Sequence, residues 1–159
     1  MQNYMIEEPS TQPHVDQTLI VQDNIQKPLS SQQPTVPHIA IQNSSMILGD
    51  QDVLPVVAAL QIQLDRDWQP AWNSSAKLVF YSKNQTIPEN IWHISILDNS
   101  DVEGALGYHD ESNLSVPYGK IFVQDAIMHG FNWSVSLSHE LLEMISNPWI
   151  NLTVFAQMH

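Results

Sequence analysis

Residues 91–97 read IWHISIL, and this run decides the fold class. Five of the seven are Ile, Leu or Trp, and the run closes at Asp98, which makes it the strongest strand signal in the chain. Alternation puts Trp92, Ile94 and Ile96 on one face and His93, Ser95 and Leu97 on the other. His93 is therefore expected as a sheet residue facing helix or solvent. Upstream, Lys77–Tyr81 reads as a short apolar strand, followed by a turn at Asn84–Pro88. Downstream come a polar loop through Glu103, a short strand Ala105–His109, a loop Asp110–Pro117 and an apolar strand Lys120–Gln124.

Helical patterns flank this block. Val53, Val57, Leu60 and Leu64 recur at steps of four, three and four, which predicts a helix over Val53–Asp67. Asp52 is its expected cap, Pro55 falls in its first turn, and RDWQPAW ends it at Pro70. Trp68 and Trp72 flank that proline and are expected to fix the turn into the next strand. A second helix is expected over Trp133–Ser146, preceded by Gly130 and Asn132 and stopped by Pro148. The order helix, four strands, helix predicts an α+β domain: a small mixed sheet packed against two main helices.

The first 37 residues hold Pro9, Pro13, Pro28, Pro34 and Pro37, half of the ten prolines, set among Gln, Ser and Thr. Residues 1–38 are expected to form a flexible, extended or disordered arm, and residues 39–159 the domain, with its regular part starting near Asp50. Thr18–Val21 and Ile39–Ile41 are short apolar pieces able to add a strand. The tail after Pro148, WINLTVFAQMH, reads as a short docked strand or as the stub of a longer chain.

Charge excludes several functions. Five Lys and Arg against 17 Asp and Glu give a formal charge of -12. No basic patch for nucleic acid or for an anionic membrane can be built from five scattered cations. No apolar run is long enough to span a bilayer, and the first ten residues hold no basic residue, unlike a secretory signal. A cytoplasmic location is the default expectation. Cysteine is absent, so any metal must be held by His, carboxylate, backbone oxygen or water. Six N-x-S/T triplets read as composition in an Asn- and Ser-rich chain.

Chemistry concentrates in Ser136–Pro148, SLSHELLEMISNP. His139 and Glu143 are four apart, so a helix projects both from one face, and both are normal zinc donors. Glu140 stands where an H-E-x-x-H helix places its general base, although the fourth position here is Glu. His109, in GALGYHDES, is a candidate third ligand or oxyanion-stabilising group; its alternative is a histidine bonded to a loop carbonyl. Asp98, Asp101 and Glu103 lack the spacing of a calcium loop and read as a solvated acidic loop. The tryptophans, Trp92, Trp133 and Trp149 included, are expected in packing and anchoring.

The run W-x-V-S-L-S-H-E-L-L-E-M-I-x-x-P resembles the active-site helix of zincin-type metallopeptidases, in particular bacterial and phage-like proteins with H-E-L-x-E followed by D-P or N-P. RDWQPAW at Arg66–Trp72, ILDNSDVEGALGYHD at Ile96–Asp110 and PYGKIFV at Pro117–Val123 are similar to stretches of the same set, so the resemblance covers about Arg66 to Pro148. It implies a zincin-like fold, a zinc cofactor, His139 and Glu143 as ligands, Glu140 as base, and a peptide or protein substrate pairing with an edge strand, Lys120–Gln124. The sequence departs from a long-form motif at Ser146 and Trp149, where Gly and His would stand, and it ends 16 residues after Glu143. Asn147, Asn151 and the terminal His159 are poor substitutes. The third ligand is then expected from upstream, unless the chain is a fragment or a non-catalytic zincin-like module, for instance in a viral or phage assembly.

Overall fold

A computed structural model describes residues 36–151. They lie within the compact unit Pro34–His159. The expected arm up to residue 35, with Thr18–Val21, and the tail from residue 152, with His159, lie outside the described residues.

Five strands form one mixed sheet: β1 His38–Asn43, β2 Lys77–Tyr81, β3 Trp92–Leu97, β4 Gly107–Glu111 and β5 Pro117–Phe122. Their spatial order is β2-β1-β3-β5-β4. All pairings are parallel except β4 with β5, which is antiparallel. Helices α1 Asp50–Gln63 and α4 Trp133–Ser146 cover the sheet, α1 over β1 and β2, α4 over β5 and β4. The fold is thus mixed α/β, a five-stranded mixed sheet with packed helices.

One apolar cluster joins the layers. Ile39 and Ile41 of β1, Leu78 of β2, Ile94 and Ile96 of β3 and Ile121 of β5 meet Val53, Val57 and Leu60 of α1 and Leu137, Leu141 and Met144 of α4. Both helices therefore lie on the same face of the sheet. The expected face of β3 holds: Ile94 and Ile96 are fully buried while His93 and Ser95 are half-buried.

Several boundaries differ from expectation. β1 is not an optional addition before a domain starting at Asp50; it lies between β2 and β3. α1 starts one turn early, capped by Gly49, with the Asp52 carboxylate accepting the Gly49 N–H at 2.8 Å from the third helical position. Pro70 does not end the helix. α1 passes through a π-helical turn, Leu64–Trp68, into α2, Gln69–Trp72, and stops where Asn73 turns left-handed at φ 51°. Proline removes a donor, and a π turn loosens the bonding ladder where that loss falls. Trp68 and Trp72 stack across Pro70 with centroids 4.9 Å apart. Trp68 Nε1 also donates to Ser74 Oγ at 3.0 Å, which ties the helix end to the approach to β2.

The expected strand Lys120–Gln124 is corrected on two counts. It ends at Phe122, and Val123–Met128 forms a further helix, α3. It is also interior, because β4 lies outside it; the sheet edges are β2 and β4. No helix of the described residues is long and apolar enough to cross a membrane.

Candidate metal centre

α4 begins where the Asn132 side chain accepts the Ser134 N–H at 3.2 Å. Its buried stripe is Leu137, Glu140, Leu141 and Met144, at steps of three, one and three. Glu140 thus occupies a core position and is 8% exposed. A carboxylate there needs a partner, because an unpaired buried charge is strongly disfavoured.

β4 supplies that partner. Its register sets Gly107 opposite Ile121 and His109 opposite Gly119, which places both on the face under α4. Gly107 lets the helix come close. A Cβ at Gly107 would stand 2.8 Å from Ile121 Cδ1, 3.0 Å from the Lys120 carbonyl oxygen and 3.2 Å from Glu140 Cγ. The absence of a side chain at 107 makes the room that Glu140 uses.

His109 Nδ1 lies 3.3 Å from Glu140 Oε2 and 3.5 Å from Glu143 Oε2. The His109 and Glu140 side chains are each 10% exposed, whereas Glu143 is 51% exposed, so the group opens to solvent at Glu143. His109 Nε2 is buried without a hydrogen bond of ordinary geometry, although the Asn147 backbone at the end of α4 favours the charged ring. The hydrogen bond to Glu140 raises the His109 pKa above its ordinary value. Burial opposes this, and the charges of Glu140 and Glu143 add to it.

His109, Glu140 and Glu143 present ligand atoms that all lie within 4.8 Å of one another, a group that can hold a metal ion. The spacing suits one. Zinc bonds of about 2.0–2.1 Å at tetrahedral angles separate neighbouring donors by about 3.3 Å. A protonated imidazole holding the carboxylates directly would approach to about 2.7–2.9 Å. The 3.3 and 3.5 Å separations lie near the first value, the 3.3 Å contact is also a hydrogen bond between the imidazole and Glu140, and the three donor atoms as a set lie within 4.8 Å of one another. The Nδ1 side faces the carboxylates, so a proton on Nε2 would leave the Nδ1 lone pair for an ion.

His139 stands at the rim. Its side chain is 64% exposed and its Nε2 lies 3.2 Å from the other oxygen of Glu143, Oε1. The expected pairing of His139 with Glu143 across one helical turn is present, but the residue that closes on both glutamates is His109. The signal for this was Glu140 falling in the Leu137–Leu141–Met144 stripe, which turns it toward the sheet.

Asp98, Asp101, His93 and Asn151 have other partners. The Asp98 carboxylate accepts the Ser45 hydroxyl and the N–H groups of Met46 at 2.9 Å and Ile47 at 3.3 Å, tying β3 to the loop after β1. The Ser45 hydroxyl, followed by those N–H groups, holds the Asp98 pKa below its ordinary value. Asp101 pairs with Lys120 and accepts from Tyr108 Oη at 3.2 Å. His93 stacks on Tyr118 at 6.0 Å, and burial lowers its pKa. Asn151 donates its N–H to Asn147 Oδ1 at 3.0 Å. Trp149 packs edge-on against Trp92 at 6.1 Å, an anchoring contact of the expected kind.

No protein-family model, no characterised protein and no solved structure matches this chain. The resemblance to zincin-type metallopeptidases therefore rests on the motif stretches alone.

Proposed function

We propose that His109, Glu140 and Glu143 hold a zinc ion and that the protein is a zinc-dependent hydrolase of peptide-type bonds, of zincin-like descent. The observation that carries this reading is the convergence of His109 Nδ1 on two carboxylates at 3.3 and 3.5 Å, a group of three donors within 4.8 Å of one another. One nitrogen and two oxygens form a three-donor set of the kind that leaves a coordination position for water or substrate. Bound there, zinc supplies Lewis acidity and a water that loses its proton near neutral pH.

This reading exchanges two roles on the motif helix. Glu140 becomes a ligand, because it is buried against His109. His139 becomes the proton acceptor, because its Nε2 sits on the exposed side beside Glu143 Oε1. Its Nε2–H donates to Glu143 Oε1, its Nδ1 takes the proton released by the water, the carboxylate steadies the resulting charge, and the proton passes to the leaving amine. The substrate backbone pairs with β4, an edge strand that carries His109, in place of Lys120–Gln124. The net charge of -12 favours neutral or basic peptides over acidic ones.

Zinc-loaded and zinc-free protein, incubated with a mixed fluorogenic peptide set, test the reading. Zinc-dependent cleavage that is lost in His109→Ala and falls about 100-fold or more in His139→Ala is expected. Protein that carries zinc at His109 yet cleaves nothing is a non-catalytic zincin-like module, and the hydrolase reading is then wrong.

A further inference from the structure

Glu143 faces two imidazoles with two different oxygens. Oε2 points to His109 Nδ1 at 3.5 Å and Oε1 to His139 Nε2 at 3.2 Å. We infer that Glu143 bridges two ion positions: the inner one proposed above, and an outer one held by His139 Nε2 and Glu143 Oε1, which takes a borderline divalent ion such as zinc or cobalt. The inference rests on the proposed zinc site, since the bridge needs an inner ion.

The outer pair, 3.2 Å apart, is an ion-pair contact as it stands, and the same separation would also suit neighbouring donors on one ion, about 3.3 Å. His139 and Glu143 are one helical turn apart, so α4 preorganises the pair before an ion arrives. A carboxylate can offer one oxygen to each of two ions, and the two oxygens of Glu143 already face two different imidazoles. Charge also permits it. Glu140 and Glu143 balance the inner ion, and the remaining excess of acidic residues in a chain of net charge -12 lowers the cost of a second cation.

The two positions differ in strength. The inner one has three protein donors, two of them on side chains that are 10% exposed. The outer one has two donors, on side chains 64% and 51% exposed, and completes its shell with water. An ion on His139 Nε2 would keep the ring proton on Nδ1, the nitrogen that the hydrolytic reading uses as proton acceptor. Zinc beyond one equivalent therefore inhibits the enzyme that the first equivalent activates.

Zinc titration of the full chain at pH 7 by calorimetry and equilibrium dialysis, repeated with His139→Ala, tests this. Wild type is expected to bind two equivalents, the second about 100-fold weaker than the first. His139→Ala keeps the first and loses the second; the side chain is exposed, so the fold stays intact. With two equivalents of cobalt, wild type shows a spin-coupled electron paramagnetic resonance signal that His139→Ala lacks. Hydrolysis by wild type rises to one equivalent of zinc and falls beyond it. One equivalent in wild type, or a second equivalent that survives His139→Ala, overturns the bridge and leaves the inner site standing. Binding of no zinc removes the bridge together with the proposed function.

Discussion

Helices α1 and α4 are each 14 residues long and lie on the same face of one sheet, yet they bury different chemistry. α1 turns Val53, Val57 and Leu60 inward and nothing charged. α4 turns Leu137, Leu141 and Met144 inward and adds Glu140 to the same stripe. The strands beneath answer in kind. β1 and β2 present Ile39, Ile41 and Leu78, whereas β4 presents Gly107 and His109. An apolar stripe is enough to seat a helix. The one carboxylate in such a stripe is a burial cost that α1 does not carry.

The difference can be broken from either side. On the α1 side, Leu64 follows the helix in the π turn and is fully buried. Leu64→Ala should destabilise the protein by about 2–5 kcal/mol, the range for a buried leucine that leaves a cavity. Denaturant melts should show this loss equally with and without zinc. A loss that appears only with zinc would mean that α1 takes part in the site.

On the α4 side, Glu140→Leu combined with His109→Leu makes the second helix and its strand resemble the first. In zinc-free protein the double change should be neutral or stabilising, up to about 1–4 kcal/mol, since it replaces a buried ionic pair by apolar groups. Zinc binding should disappear in the same variant. A clear loss of zinc-free stability would show that the His109–Glu140 pair holds the helix down by itself, and the contrast between the helices would fail.

A smaller effect belongs to Asp98, which lies in neither helix and ties the end of β3 to the loop that leads into α1. Asp98→Ala should cost about 1 kcal/mol once solvent screening is allowed for. The sign with pH follows from its lowered pKa. The folded value lies below the unfolded one, so the contribution is whole above the unfolded value of about 3.9 and fades as pH falls through the folded value. Melts at pH 7 and pH 5 should show the same gap between wild type and variant, and the gap should narrow as pH falls below about 3.9. A gap that widens in acid would contradict the assignment.

Much of the scaffold was legible because its signals are local. Lys77–Tyr81 and Trp133–Ser146 have the bounds that alternation, the Asn132 cap and Pro148 give them. β1 was not legible as an inner strand, because HIAIQN follows Pro37 and its partners lie at residues 77–81 and 92–96, far along the chain. α3 was hidden because Ile121, Phe122 and Val123 form one apolar run with no period to mark where strand becomes helix. Pro70 misled because the rule that proline stops a helix assumes a regular ladder, and a π turn precedes it here. At the site, the motif spacing directs attention to His139 and Glu143. Only the antiparallel return of β4 brings His109 onto the glutamates, and that pairing is a property of the sheet.

The central claim is that a cation belongs between His109, Glu140 and Glu143. Calorimetric titration of metal-free protein with zinc at pH 7, beside His109→Ala, measures it directly. The account predicts one tight equivalent in wild type with a melting temperature that rises as zinc is added, and loss of both in the variant. Absence of binding at micromolar zinc, or the same tight equivalent in protein lacking His109, would contradict it.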